Sequence, residues 1–292
     1  MIAGPTAVGK TAVAIDLARQ LQTDIISADS RQCYKEMTIG TAKPTPGELQ
    51  KVKHYFVDEF PVTEQISAAD FEIYALKDLK ERFTRHNTAV VCGGTGLYIK
   101  ALCEGLDEMP AVDPAIVQQL DDEYRRQGIG WLQQAVQKED PVFYNTGEVQ
   151  NPARMLRALS FVRTTGESIT SYRTQQKKIR PFRIIKAGLE LPREVLYERI
   201  NQRVEIMMKQ GLLDEVEKLQ PYRHLKNLQT VGYAELFDYI DGKCSLAAAV
   251  DKIKQHTRNY AKRQMTWFKK DIEFTWFRSD DEAVVAKILS LG

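Results

Sequence analysis

A three-layer α/β fold on a parallel sheet, carrying one inserted and mostly helical domain, is what this sequence predicts, and three observations predict it. Short apolar runs alternate with stretches of helical apolar spacing near both ends of the chain, the pattern of parallel strands joined by helices. Gly4-Pro5-Thr6-Ala7-Val8-Gly9-Lys10-Thr11 matches glycine, four residues, glycine, lysine and a hydroxyl residue, the phosphate-cradling loop of P-loop NTPase-like folds. Residues 107–180 then break the alternation, being polar and helix-forming with Pro110, Asp113-Pro114 and Asp140-Pro141 as punctuation. The predicted organisation is a core from residues 1–106 and 181–292 around an insertion domain at 107–180.

The elements follow in order. Met1-Ile2-Ala3 ends a strand at the loop, and Ala12-Val13-Ala14-Ile15-Asp16-Leu17-Ala18 continues from it as a helix. Asp24-Ile25-Ile26-Ser27-Ala28 is a short buried strand delivering Asp29-Ser30-Arg31-Gln32 to the end of the sheet where ligands bind. Residues 41–47 are irregular, and His54-Tyr55-Phe56-Val57 is another strand. Ser67 caps a helix reaching about residue 86, with Asp70 as its reciprocal partner. Thr88-Ala89-Val90-Val91-Cys92 is an apolar strand that ends in Gly93-Gly94-Thr95-Gly96. After the insertion, residues 182–189 restore a strand and 193–219 form an amphipathic helix that Gly211 can interrupt. Residues 229–240 and 245–268 are further helices, and Phe274-Thr275-Trp276-Phe277 is a closing strand or extended tail.

With 292 residues, 43% of them hydrophobic, and a formal net charge of +2, the chain has enough material for a large core and an insertion. No run approaches the roughly eighteen apolar residues of a membrane span. The opening residues read as strand and loop rather than a leader, so a cytoplasmic location with no membrane partner is expected. Cys33, Cys92, Cys103 and Cys244 lack C-x-x-C spacing, which argues against zinc or disulfides and for packing.

Chemistry concentrates at the strand ends. Two glycines let the loop turn its N–H groups inward, Lys10 brings a charge to terminal phosphates, and Thr11 offers a hydroxyl to Mg²⁺. Alone, that combination says nucleotide binding, with ATP first. Asp29 is placed to take a proton from a nucleophile, or else to cap a turn or hold Mg²⁺ through water. The strand at 88–92 lacks the terminal acid with which many P-loop ATPases hold Mg²⁺, and leaves Thr95 among glycines that let a ligand approach. Arg193, Arg199 and Arg203 share one helix; a guanidinium fork suits a diphosphate, and spacing does not choose among the three. Arg154 and Arg157 share a helical face suited to a phosphodiester or to surface ion pairs. Lys252, Lys254, Arg258, Lys262, Arg263, Lys269 and Lys270 are interleaved with Tyr260, Trp267 and Phe268, either as a solvated face over core aromatics or as a strip that stacks single-stranded RNA. A small-molecule or nucleoside kinase and a nucleotide-dependent RNA-binding module stay open on these residues.

Several stretches together resemble one family, the bacterial tRNA dimethylallyltransferases, also called tRNA isopentenyltransferases. The resemblance runs through nearly the whole chain. Besides the P-loop it rests on Ser27-Ala28-Asp29-Ser30-Arg31-Gln32 with Tyr34, on Met37-Thr38-Ile39-Gly40-Thr41-Ala42-Lys43-Pro44 and on Ser67-Ala68-Ala69-Asp70-Phe71. It continues through Gly93-Gly94-Thr95-Gly96-Leu97-Tyr98, Arg154-Met155-Leu156-Arg157-Ala158-Leu159, Val231-Gly232-Tyr233 and Tyr260-Ala261-Lys262-Arg263-Gln264-Met265-Thr266-Trp267-Phe268. Where the family usually has His-Pro-Asn before the arginine pair, this chain has Glu148-Val149-Gln150-Asn151-Pro152.

The resemblance implies transfer of a dimethylallyl group from dimethylallyl diphosphate to the exocyclic N6 amine of adenosine 37, immediately 3′ of the tRNA anticodon, with release of diphosphate. It implies that Gly4, Pro5, Thr6, Ala7, Val8, Gly9, Lys10 and Thr11 hold the diphosphate together with Arg203, and that Mg²⁺ binds at Thr11. Asp29 matches the general base, and Thr6, Thr95 and Lys10 match positions beside the reacting groups. Asp29, Ser30, Arg31, Gln32 and Thr95, with Ala153, Arg154, Met155, Leu156 and Arg157 of the insertion, match positions that contact tRNA, so the implied partner is the anticodon stem-loop. The target base has to leave the anticodon stack to react. The enzyme is expected to be a monomer.

Overall fold

The computed structural model describes residues 1–174 and 176–292 and divides into two compact units, Met1–Cys103 with Arg180–Gly292, and Glu104–Ile179. The first unit is built on a six-stranded parallel sheet of β1 (Ile2–Ala3), β2 (Ile25–Ser27), β3 (His54–Tyr55), β4 (Val90–Gly93), β5 (Lys186–Glu190) and β6 (Phe274–Arg278), in the order β3-β2-β4-β1-β5-β6. Ala3 stands opposite both Gly93 and Gly188, Ser27 opposite Cys92, and Glu190 opposite Arg278. Parallel strands bring their C-terminal ends to one edge, so the segments after β1, β2, β4, β5 and β6 open on the same side.

Helices α1 (Lys10–Gln20), α2 (Pro46–Lys51), α3 (Ala68–Arg82) and α4 (Gly96–Glu104) belong to the N-terminal half. Ser67 and Asp70 form the expected reciprocal cap of α3, each side chain bonded to the other's backbone N–H. In the second unit, α5 (Pro114–Glu139), α6 (Pro141–Thr146) and α7 (Pro152–Thr165) each begin with a side-chain cap followed by proline: Asp113, Asp140 and Asn151 accept the backbone bonds that proline's fixed φ leads into. Leu120, Leu132, Val136, Phe143, Met155, Leu159 and Phe161 form that unit's own core.

The chain then returns to the first unit with α8 (Arg193–Lys209), α9 (Leu212–Lys218), α10 (Tyr233–Ile240), α11 (Leu246–Phe268) and α12 (Val284–Leu289). Ile2, Ile25, Val90, Ala187 and Leu189 of the sheet pack with Val13 and Leu17 of α1, Leu196 and Ile200 of α8, and Ile288 of α12. Neighbouring strand residues such as Ile25 and Ile26 are both buried, because helices cover both faces.

Several boundaries differ from the sequence expectation. The strand expected from residue 182 starts at Lys186, where pairing with β1 and β6 begins. The helix expected over 193–219 is two helices, since Gly211 takes a left-handed φ of 95°. The helix expected from residue 229 starts at Tyr233, after Gly232 at φ 99°. Phe274 to Arg278 is a true edge strand rather than a tail.

Candidate active site

The P-loop leaves β1 at Ala3 and enters α1 at Lys10, with Gly9 turned to φ 100° as the helix cap. A left-handed residue is needed at that turn, and glycine adopts it without a Cβ clash. No side chain caps α1 and no acid lies in its first turn, so its leading N–H groups stay open to an anion. Lys10 Nζ donates to the carbonyls of Gly4 at 3.0 Å and Pro5 at 2.8 Å. Burial lowers the Lys10 pKa to about 8; Cys92 and Asp29 resist that shift and Arg203 adds to it. A lysine held this close to neutrality gains from any polyanion that arrives beside it.

Asp29 follows β2. Its Oδ1 accepts from the backbone N–H groups of Arg31 at 2.9 Å and Gln32 at 3.3 Å, which curls the loop and fixes the carboxylate. Its other oxygen makes no hydrogen bond to a described residue. Thr95, just past β4, accepts from Ser30 N–H at 3.0 Å, lies 3.3 Å from Ser30 Oγ and donates its own N–H to Ala28 O at 3.2 Å. Asp29, Ser30 and Thr95 therefore form one joined edge. Arg31 Nη1 donates to Ser30 O at 3.1 Å. Gln32 turns inward, donating to the carbonyls of Thr41 at 3.2 Å and Ala42 at 3.1 Å and accepting from Ser27 Oγ at 3.2 Å, so its amide ties two loops together.

Sequence reasoning missed the brace across the two loops. Gln264 on α11 is buried; its Oε1 accepts from Thr6 N–H at 2.9 Å and its Nε2 donates to Gly94 O at 2.9 Å. The approach requires glycine, because a Cβ on Gly94 would stand 2.5 Å from Gln264 Nε2. One turn on, the Trp267 ring covers Gly96, where a Cβ would stand 2.3 Å from the indole. The available signal was an amide on the otherwise apolar stripe Ala261, Gln264, Phe268. Glu215 was also missed: it accepts from the N–H groups of Thr38, Ile39 and Gly40 at 2.7–3.0 Å and from Tyr233 Oη at 2.6 Å, anchoring the 38–44 loop.

Of the three arginines on α8, Arg193 lies over the Tyr197 ring. Arg203 is half-buried, makes no hydrogen bond to a described residue, and lies close enough to Lys10 to depress its pKa. Burial lowers its own pKa, offset only by Glu48. The C-terminal basic strip divides: Lys254 pairs with Glu205, Arg258 donates to Asn201 and Lys269 pairs with Glu190. Lys262, Arg263 and Lys270 make no ion pair with a described residue and line an open groove with Asn259, Thr266 and Trp267. Phe268 is buried, whereas Tyr260 and Trp267 are exposed by 37% and 41%.

In the helical unit, Ala153, Arg154 and Arg157 are exposed. Arg154 pairs with Glu148 at 2.6 Å, and Arg157 Nη2 lies 3.7 Å from Met109 Sδ. Met155 is fully buried and Leu156 packs against the same core. The reason is periodicity, since α7 turns position 155 inward while 154 and 157 face out.

The donor set suits Mg²⁺ in its ordinary mode, in which a few protein oxygens assist and phosphates and water complete the shell. Thr11 at the first turn of α1 is the residue that would offer such an oxygen, and β4 ends in glycine rather than an acid.

A family model described as IPP transferase matches residues 32–271. The tRNA dimethylallyltransferase 1 of Bacteroides thetaiotaomicron is 46% identical over 291 residues, spanning 100% of this chain and 94% of that protein. The tRNA dimethylallyltransferase of Christiangramia forsetii is 47% identical over 282 residues, spanning 97% and 93%. Among solved structures, the full-length tRNA isopentenylpyrophosphate transferase of Bacillus halodurans superposes with a TM-score of 0.72 at 36% identity, covering 99% of this chain and 92% of that one.

Proposed function

The chain belongs to the IPP transferase family, and from that premise we propose that it transfers the dimethylallyl group of dimethylallyl diphosphate to N6 of adenosine 37 in tRNA. The observation that carries the reading is the joined edge Asp29–Ser30–Thr95 facing a P-loop whose lysine feels the Asp29 charge. A carboxylate there meets an incoming nucleophile, and the P-loop meets the phosphates it displaces.

In the reaction, N6 forms a bond to the allylic carbon while the carbon–oxygen bond breaks and its electron pair leaves with diphosphate. Lys10, the open N–H groups of α1 and Arg203 stabilise the departing charge. Asp29 takes the proton from the amine through its unbonded oxygen, while the other oxygen stays held by Arg31 and Gln32 N–H. The hydroxyls of Thr95 and Ser30 position the amine, and a poor nucleophile held in line gains most from such positioning. Mg²⁺ at Thr11, when bound, neutralises charge on the diphosphate. The backbone of residues 4–9 cradles those phosphates, so the loop serves a leaving group rather than a nucleoside triphosphate.

The tRNA is held by charge. Lys262, Arg263 and Lys270 offer cations with no ion pair to a described residue beside the exposed Trp267, which suits a phosphodiester strand with one base unstacked. Arg31 at the site, and Arg154 and Arg157 on the helical unit, are the further contacts. No described helix is long and apolar enough to cross a membrane. The enzyme acts as a cytoplasmic monomer on this reading.

Incubation with radiolabelled dimethylallyl diphosphate, Mg²⁺ and unmodified tRNA should place label in tRNA at adenosine 37. Folded protein that leaves tRNA unlabelled sinks the reading. Phosphate transfer from ATP without RNA would replace it with a kinase.

A further inference from the structure

A second guanidinium approaches the P-loop from outside. Arg199 stands one helical turn before Arg203 on α8, so the two share a face. A Cβ on Gly9 would lie 3.7 Å from Arg199 Nη1 and 3.9 Å from both Cβ and Oγ of Ser279. Ser279 follows β6 and donates its N–H to Glu190 O at 3.1 Å, which sets it at the end of the sheet where the P-loop lies. Arg199 and Ser279 therefore flank the turn into α1.

Neither side chain has a hydrogen-bond partner among the described residues. Ser279 Oγ is one of three buried side-chain polar atoms among the described residues with no hydrogen-bond partner; of the other two, Thr23 precedes β2 and Thr170 belongs to the helical unit. A buried hydroxyl with no partner is costly, which directs attention to a ligand atom that completes it. Arg199 makes no hydrogen bond to a described residue, and Asp280, whose carboxylate feels the Arg199 charge, is bonded to Arg278 at 2.7 Å. A guanidinium, through its Nη1, and one hydroxyl thus stand beside a loop built for phosphate.

We infer that Arg199 and Ser279 are ligands for the terminal phosphate of the diphosphate, the one furthest from the allylic carbon. The assignment deepens the prenyl-transfer reading and rests on it. The two arginines meet the loop at different points: Arg203 bears on Lys10, which also feels Asp29, whereas Arg199 stands at Gly9, the turn into α1. A diphosphate bridging the two points meets one guanidinium at each phosphate. A fork that accepts two oxygens at once suits the terminal group.

Calorimetric titration with inorganic diphosphate and with inorganic phosphate, both with Mg²⁺, tests the assignment without turnover. R199Q is expected to weaken diphosphate binding roughly ten- to hundredfold and to raise KM for dimethylallyl diphosphate alike. R199Q should also shrink the preference for diphosphate over phosphate, with tRNA affinity unchanged. S279A, which removes one oxygen and keeps the fold, should weaken diphosphate binding severalfold. Diphosphate affinity within twofold of wild type in either variant overturns the assignment, even if the wild type labels tRNA. A wild type that binds diphosphate but labels no tRNA sinks the function alone.

Discussion

The floor of the site and the wall made by α8 and the end of β6 satisfy their polar groups in opposite ways. On the floor, Gln264 bonds both Thr6 N–H and Gly94 O, Asp29 Oδ1 takes two backbone bonds, and Thr95 takes the Ser30 N–H. On the wall, Arg203, Arg199 and Ser279 Oγ find no hydrogen-bond partner among the described residues. Groups that must hold a position are completed within the fold, because an ordered dipole stabilises developing charge without reorganising. Groups that must grip a polyanion are left open, because any internal bond would have to break first. Lys10 lies between the two classes, held by carbonyls it can exchange for phosphate.

The sharpest way to break this contrast is Asp29→Asn, which keeps an oxygen acceptor for the Arg31 and Gln32 N–H groups but cannot take a proton. Turnover should fall about 10²–10⁴-fold, with tRNA affinity and donor KM within about threefold of wild type. Single-turnover labelling of tRNA measures the first and filter binding the second. If D29N keeps a tenth of wild-type turnover or more, Asp29 is only a loop cap and belongs wholly to the floor.

Gln264→Leu attacks the brace itself. It leaves the Thr6 N–H and Gly94 O without their partner, which costs about 1–3 kcal/mol and should lower the melting temperature by several degrees. Displacing the P-loop from Thr95 should also lower kcat by roughly 10–100-fold, more than it changes the affinity for inorganic diphosphate, which the open wall governs. Thermal unfolding and steady-state kinetics on the same preparation separate the two effects. An unchanged melting temperature with unchanged kcat removes Gln264 from the floor.

The difference between floor and wall also explains what the sequence disclosed. The P-loop, the Asp29 loop and the cap Ser67–Asp70 are legible because their partners are close in the chain and their residue types are demanded by local geometry. Gln264 is not, since its partners lie 258 and 170 residues away. Spacing could not choose among Arg193, Arg199 and Arg203, because what separates them is what each one meets: the Tyr197 ring, the turn at Gly9, and Lys10. The basic strip read as one feature in the sequence, yet acids and an amide from α8 and the end of β5 pair three of its members. Helix starts at Tyr233 and Leu212 were set by backbone turns at Gly232 and Gly211 that apolar periodicity does not report.

Lys10 offers the smallest effect and the finest distinction. With its pKa lowered to about 8 by burial, the free enzyme holds this lysine mostly charged at pH 7 and mostly neutral at pH 9. A bound polyanion favours the charged form, so binding takes up a proton above pH 8 and affinity must fall as pH rises, by about tenfold between pH 7 and pH 9. Lys10→Arg stays charged throughout, and the ionisation of the ligand is common to both proteins. The ratio of their diphosphate affinities, measured by calorimetry across that range, therefore reports Lys10 alone. Asp29→Asn should move the midpoint of that ratio to lower pH, because the Asp29 charge is one of those that hold the lysine pKa up. A flat ratio would mean that Lys10 keeps its charge to pH 9 and behaves like the arginines of the wall. A midpoint that ignores Asp29→Asn would mean that floor and wall are electrostatically separate.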